Sequence, residues 1–139
     1  MPPRTAIASA AKPLDEKITI NLGYVDLGQI DLLVQEGFYA NRTDLIRTAV
    51  RNQLAGHADS VRQAVARKTL VLGIQQYGKA ELQALKATGQ KLEVRVLGLA
   101  TIAPDVTPDL ALATISSLTV LGALHASPAV KAALRQRIR

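Results

Sequence analysis

The chain of 139 residues has no cysteine and no tryptophan, and only one phenylalanine and three tyrosines. Without cysteine, neither a disulfide framework nor a thiolate metal site can form. The two histidines, His57 and His125, stand far apart in sequence, so no metal site is expected. With so few aromatics, any core has to be built from Leu, Val, Ile and Ala, and apolar residues still make up 48% of the chain. No apolar run reaches the roughly 20 residues that a membrane span needs. The start, MPPRTAIASAAKPLDEK, is too polar and too broken by proline for a secretory signal. A cytoplasmic protein with no membrane partner is therefore expected.

Signs of catalysis are also missing. There is no Gly-x-Gly-x-x-Gly and no Gly-Lys-Ser/Thr to cradle a phosphate, no carboxylate cluster at metal-ligand spacing, and no nucleophile matched to either histidine. We expect no enzyme, no catalytic residues, no metal and no cofactor. The glycines at 98 and 122 are better read as strand ends that need a residue without a side chain.

What the chain does have is positive charge and pattern. A net charge of +6 and a pI near 10.0 suit a polyanionic partner. In residues 17–22, Lys17, Thr19 and Asn21 alternate with Ile18, Ile20 and Leu22, the period-2 pattern of a half-buried strand. Nothing in the next 30 or so residues offers that strand a partner, and a lone strand with one apolar face is not stable. The economical partner is a second copy, paired antiparallel about a two-fold axis. A helix follows over about 25–36, with Leu27, Ile30, Leu33 and Val34 at helical spacing, Asp26 in its first turn, and Gly37 as its C-terminal cap. A second helix starts at Asn41, which with Asp44 forms the i, i+3 pair of a capping box. Leu45, Ile46, Ala49, Val50 and Leu54 line one of its faces.

The run Gly37-Phe38-Tyr39-Ala40-Asn41-Arg42-Thr43-Asp44-Leu45-Ile46-Arg47-Thr48-Ala49-Val50-Arg51 resembles the ribbon-helix-helix family of DNA-binding proteins. That family commonly shows a glycine, an aromatic, a capping residue, Arg-Ser/Thr-acid, then Ile-Arg-x-Ala-Ile/Val-Arg. Asn41 stands where serine is usual, and asparagine caps helices equally well. The resemblance implies a homodimer whose two-stranded ribbon enters the major groove of double-stranded DNA, in a nucleoid-associated transcriptional regulator. Lys17, Thr19 and Asn21 would then face the bases. Asn bonds adenine through both amide atoms, Lys donates to guanine, and Thr bonds or touches a thymine methyl. Asn41, Arg42 and Thr43, at the positive start of the second helix, would hold a DNA phosphate. Arg47 and Arg51 are candidates either for DNA or for pairing with acids such as Asp44.

The C-terminal half repeats itself. Val-Leu-Gly occurs at 71–73, 96–98 and 120–122. Leu85, Leu110 and Leu134 each follow the glycine at the same interval, as do Val106 and Val130, and Pro104 and Pro128. The spacing resembles leucine-rich-type β/α repeats, without their asparagine or cysteine ladder position. Each unit reads as a strand, a loop and a short helix, with Thr107-Pro108 and Ser127-Pro128 as helix starts. The expected architecture is α+β: an N-terminal arm over 1–13, a β-α-α ribbon-helix-helix domain over 14–56, a helical connector over 57–68, and a solenoid-like module of parallel strands over 69–139. That module is expected to serve oligomerisation or a protein partner. Two other readings fit the same pattern: an antitoxin whose C-terminal half blocks a toxin, and a DNA-tethered filament assembled through its repeats.

Overall fold

The structure is a computed structural model that describes residues 14–139, and the arm expected over 1–13 lies outside the described residues. The chain divides into two compact units between Ala58 and Asp59.

Among the described residues the first unit is a segment outside helix and strand, where the sequence predicts a strand, followed by two helices. The segment over Lys17–Leu22 pairs with no strand among the described residues. Helix α1 spans Tyr24–Gln35, with Asp26 in its first turn against the positive end of the helix dipole. It stops at Gly37, whose φ of 85° is open to glycine at little cost. The Gly37 N–H donates to the Val34 carbonyl and the Phe38 N–H to the Leu33 carbonyl, which satisfies two of the last helical acceptors. Helix α2 spans Arg42–Gly56 and starts on Asn41, whose Oδ1 accepts from the Asp44 N–H at 2.8 Å. Asp44 reaches back to the Ala40 N–H at 2.9 Å, so the pair closes as a capping box displaced by one residue.

Helix α3, Ala58–Lys68, starts at the boundary, and the second unit continues as strand β1 (Val71–Tyr77), α4 (Lys79–Thr88), β2 (Leu92–Ile102), α5 (Pro108–Thr114), β3 (Ile115–His125), α6 (Pro128–Ala133) and a 3-10 turn at Arg135–Arg137. The strands form one parallel sheet in the order β1-β2-β3. Proline opens α5 and α6, and the hydroxyls of Thr107 and Ser127 accept from the N–H groups of Leu110 and Val130, each at 3.2 Å. The core lies between one face of the sheet and the helices: Val94, Val96, Ala100 and Ile102 of β2 and Leu118 of β3 against Leu82, Val106, Leu110, Val130 and Leu134. Thr114 is also buried, and its hydroxyl donates to the Leu110 carbonyl at 2.8 Å.

The glycines of Val-Leu-Gly do not end their strands, as the sequence suggested; each strand runs on past its glycine, β2 as far as Ile102 and β3 as far as His125. His125 is thus the last residue of β3. Gly73, Gly98 and Gly122 stand side by side in register, with φ of 126°, 138° and 120°. A side chain on Gly98 would meet the Gly73 carbonyl oxygen at 2.2 Å, and one on Gly122 the Gly98 oxygen at 2.0 Å. Two requirements, positive φ and a close backbone neighbour, keep these positions glycine.

Candidate nucleic-acid interface

The two units differ in one physical respect. In the second, Leu82, Val94, Leu118 and others are removed from water, each contributing roughly 1.5–3 kcal/mol. In the first, no described residue is buried. Leu27, Ile30, Val34, Leu45 and Ile46 are half-covered at the α1–α2 junction, whereas Leu33, Val50 and Leu54 remain exposed. Ile18 and Ile20 are 77% and 55% exposed, although the alternation of residues 17–22 marks one face for burial. Phe38 and Val25 are exposed as well.

Three of these uncovered apolar side chains, Ile18, Ile20 and Val50, share one groove. Ile18 and Ile20 face Ile46 and Val50 of α2 across an open groove of about 780 Å³, with Arg47 and Arg51 along the helix side. Lys17 sits at this groove, while Thr19 and Asn21 are exposed elsewhere on the segment before α1. Thr43, in the first turn of α2, lines the same groove as Lys17, while Asn41 and Arg42 do not line it.

At the start of α2, Asn41, Arg42 and Thr43 are exposed and consecutive. The Asn41 side chain is taken up by capping. The helix itself offers no acceptor for the N–H groups of Arg42 and Thr43, which leaves two donors at the positive end of a helix of 15 residues. The Arg42 guanidinium is engaged in a forked pair with Asp31 of α1, at 2.8 and 2.9 Å. The hydrogen bond from Arg42 holds the Asp31 carboxyl below its ordinary value of 3.8, and the hydrogen bond to Asp31 in turn raises the pKa of Arg42. The pair takes up two of the five guanidinium donors, one on Nε and one on Nη2. Sequence reasoning missed this pair, since Asp31 and Arg42 are eleven residues apart in two helices. Among the described residues, Arg47 and Arg51 make no ion pair, and Asp44 is occupied by the Ala40 N–H.

Among the described residues no group of three or more His, Asp or Glu side chains is placed to hold a metal ion, and no helix is long and apolar enough to cross a membrane. No buried side-chain polar atom among them lacks a partner.

No curated protein and no solved structure matches the chain. A family does, and its match runs over residues 13–131, through the segment before the helices, α1 and α2 and on across the three-stranded sheet. The motif at 37–51 is therefore part of a longer shared pattern that takes in both units, and the chain belongs to the ribbon-helix-helix transcriptional regulator family.

Proposed function

We propose that the chain is a dimeric, sequence-specific DNA-binding protein acting as a transcriptional regulator. Two copies of Lys17–Leu22 pair antiparallel into a ribbon that enters the major groove. Ile18, Ile20 and Leu22 face inward over the two copies of α2, and Lys17, Thr19 and Asn21 face the bases. The N–H groups of Arg42 and Thr43, with Asn41 capping the same turn, hold a backbone phosphate on each flank and set the register. Residues 14–56 form this DNA-binding domain, 57–68 a helical connector, and 69–139 a module of three β/α repeats. The observation that carries the reading is the unfilled groove between Ile18 and Ile20 and α2, in a unit whose described residues include no buried side chain. A second copy of the same segment is the simplest cover for it.

The test begins with sequencing of the DNA recovered with the protein from cells, followed by fluorescence anisotropy on the recovered site and on a scrambled duplex. Specific affinity should exceed non-specific affinity by about 10³-fold or more. The logarithm of the binding constant should fall linearly with the logarithm of salt concentration, by about 0.9 for each phosphate neutralised. Equal affinities on both duplexes would reject sequence-specific recognition.

A further inference from the structure

The sheet of the second unit has two open sides. Among the described residues, nothing pairs with β1 on the side away from β2. On the far side of β3 the C-terminal tail covers only the beginning: Ile138 bridges Leu118, and the Arg139 N–H donates to the Leu118 carbonyl at 2.7 Å. From Val120 to His125, nothing among the described residues pairs with that edge. Neither open edge carries the lysine, aspartate, glutamate or proline that commonly blunts an exposed strand: β1 reads VLGIQQY and β3 reads VLGALH from Val120.

The two edges also match each other. Within the chain, β1 pairs with β2 as Val71↔Val96, Leu72↔Leu97 and Gly73↔Gly98, and β2 pairs with β3 as Val96↔Val120, Leu97↔Leu121 and Gly98↔Gly122. The same register, continued once more, sets Val120, Leu121 and Gly122 beside Val71, Leu72 and Gly73 of another molecule. The stretch that β1 would occupy is the stretch the tail leaves free. Gly98 and Gly122 each lie against the carbonyl of the glycine before them, while the corresponding place beside Gly73 is open. Gly73 nonetheless has the same positive φ, and the carbonyl of Gly122 in another copy fits that place. On the sheet face away from the core, Leu72 is 67% and Ile74 51% exposed on β1, and Leu121 is 50% exposed on β3. The continued register joins these three into one apolar strip.

We propose that the two edges are the two halves of one interface, through which C-terminal units join head to tail, β3 of one molecule parallel to β1 of a second copy, with Gly122 opposite Gly73. The contact is heterologous, so it closes into a ring or extends into a filament. It is independent of the ribbon that joins the N-terminal units and does not rest on the DNA reading. Combined with that ribbon, it links DNA-bound dimers to one another.

Sedimentation of the full chain over a range of concentrations tests the proposal. The wild type should show species larger than a dimer that grow with concentration. Leu72 and Leu121 are exposed, so charge is tolerated there in the isolated fold, and circular dichroism confirms that each variant is folded. L72K/L121K sets lysine opposite lysine and should lose every species above the dimer. L72E/L121K sets glutamate opposite lysine at every head-to-tail contact and should restore them. The absence of cysteine allows a second readout that leaves the fold undisturbed. L72C/L121C, treated with a thiol cross-linker spanning one strand spacing of about 4.8 Å, should give a ladder of covalent oligomers, and L72C or L121C alone should not. A wild type that remains dimeric at all concentrations would overturn the proposal. So would assembly unaffected by L72K/L121K, or cross-linking by L121C alone, which would mean that β3 pairs with β3.

Discussion

At the scale of single residues, the first unit separates side chains that hold the fold from those left free to contact a partner. Asn41 and Asp44 are consumed in capping, and Arg42 and Asp31 in a forked pair between α1 and α2. Asn21 has no such engagement among the described hydrogen bonds and is exposed. Asn21→Ala should weaken binding to the specific site by about 1–3 kcal/mol and leave binding to random duplex nearly unchanged, as measured by anisotropy on both. Equal losses on the two would remove Asn21 from base readout. Asp31 offers a pH test. Its carboxyl is held below the ordinary value by Arg42, so the folded state binds a proton less readily than the unfolded one. The stability it contributes is full above 3.8 and is lost as pH falls through the lowered value in the fold. Asp31→Asn should therefore lower the melting temperature at neutral pH by a small amount, since both partners are half exposed, and the gap to wild type should close in acid. Thermal melts from pH 7 downward would show it; a gap that widens in acid would contradict this role.

At the scale of elements, the parallel sheet depends on its row of glycines. Gly98→Ala and Gly122→Ala each add a methyl group about 2 Å from a carbonyl oxygen, on top of an unfavourable φ. Strain and overpacking together should cost on the order of 2–6 kcal/mol. Gly73→Ala meets only the strain, roughly 1–3 kcal/mol, because nothing in the same chain crowds that position. Denaturant unfolding of the three variants should rank Gly73→Ala as the mildest. A Gly73→Ala loss equal to the others would mean that the close approach contributes little. The tripeptide was visible in the sequence as a recurrence, but the reason for it was not. A glycine between apolar residues reads as the end of a strand, and only the neighbouring carbonyl, 25 residues away in the chain, explains why it stands in the middle of one.

At the scale of the whole molecule, the uneven distribution of buried surface predicts how the protein unfolds. The second unit has its own core, while the segment before α1 and the helices of the first expose the side chains that would have to stabilise them. A fragment covering residues 14–56 should be folded only as a dimer, and its unfolding midpoint should rise with protein concentration. A midpoint independent of concentration would show that one copy suffices, and would count against the ribbon.

The division between sequence and tertiary structure follows from the range of the interactions involved. The helices, their caps at Asn41, Thr107 and Ser127, the stop at Gly37 and the motif at 37–51 were legible in the sequence, because each rests on residues within about a turn of one another. The alternation at 17–22 likewise set Ile18 and Ile20 apart from their neighbours, and both line the groove beside α2. Positions such as Leu110, Val130 and Leu134, aligned by the recurring interval, do lie in the core. What only the tertiary structure decided depends on chain segments far apart. The Asp31–Arg42 pair ties α1 to α2, the glycine row lies within the sheet instead of at its end, and residues 138 and 139 cover one stretch of β3. Those features are set by which strands and helices become neighbours, and local propensity carries no record of that.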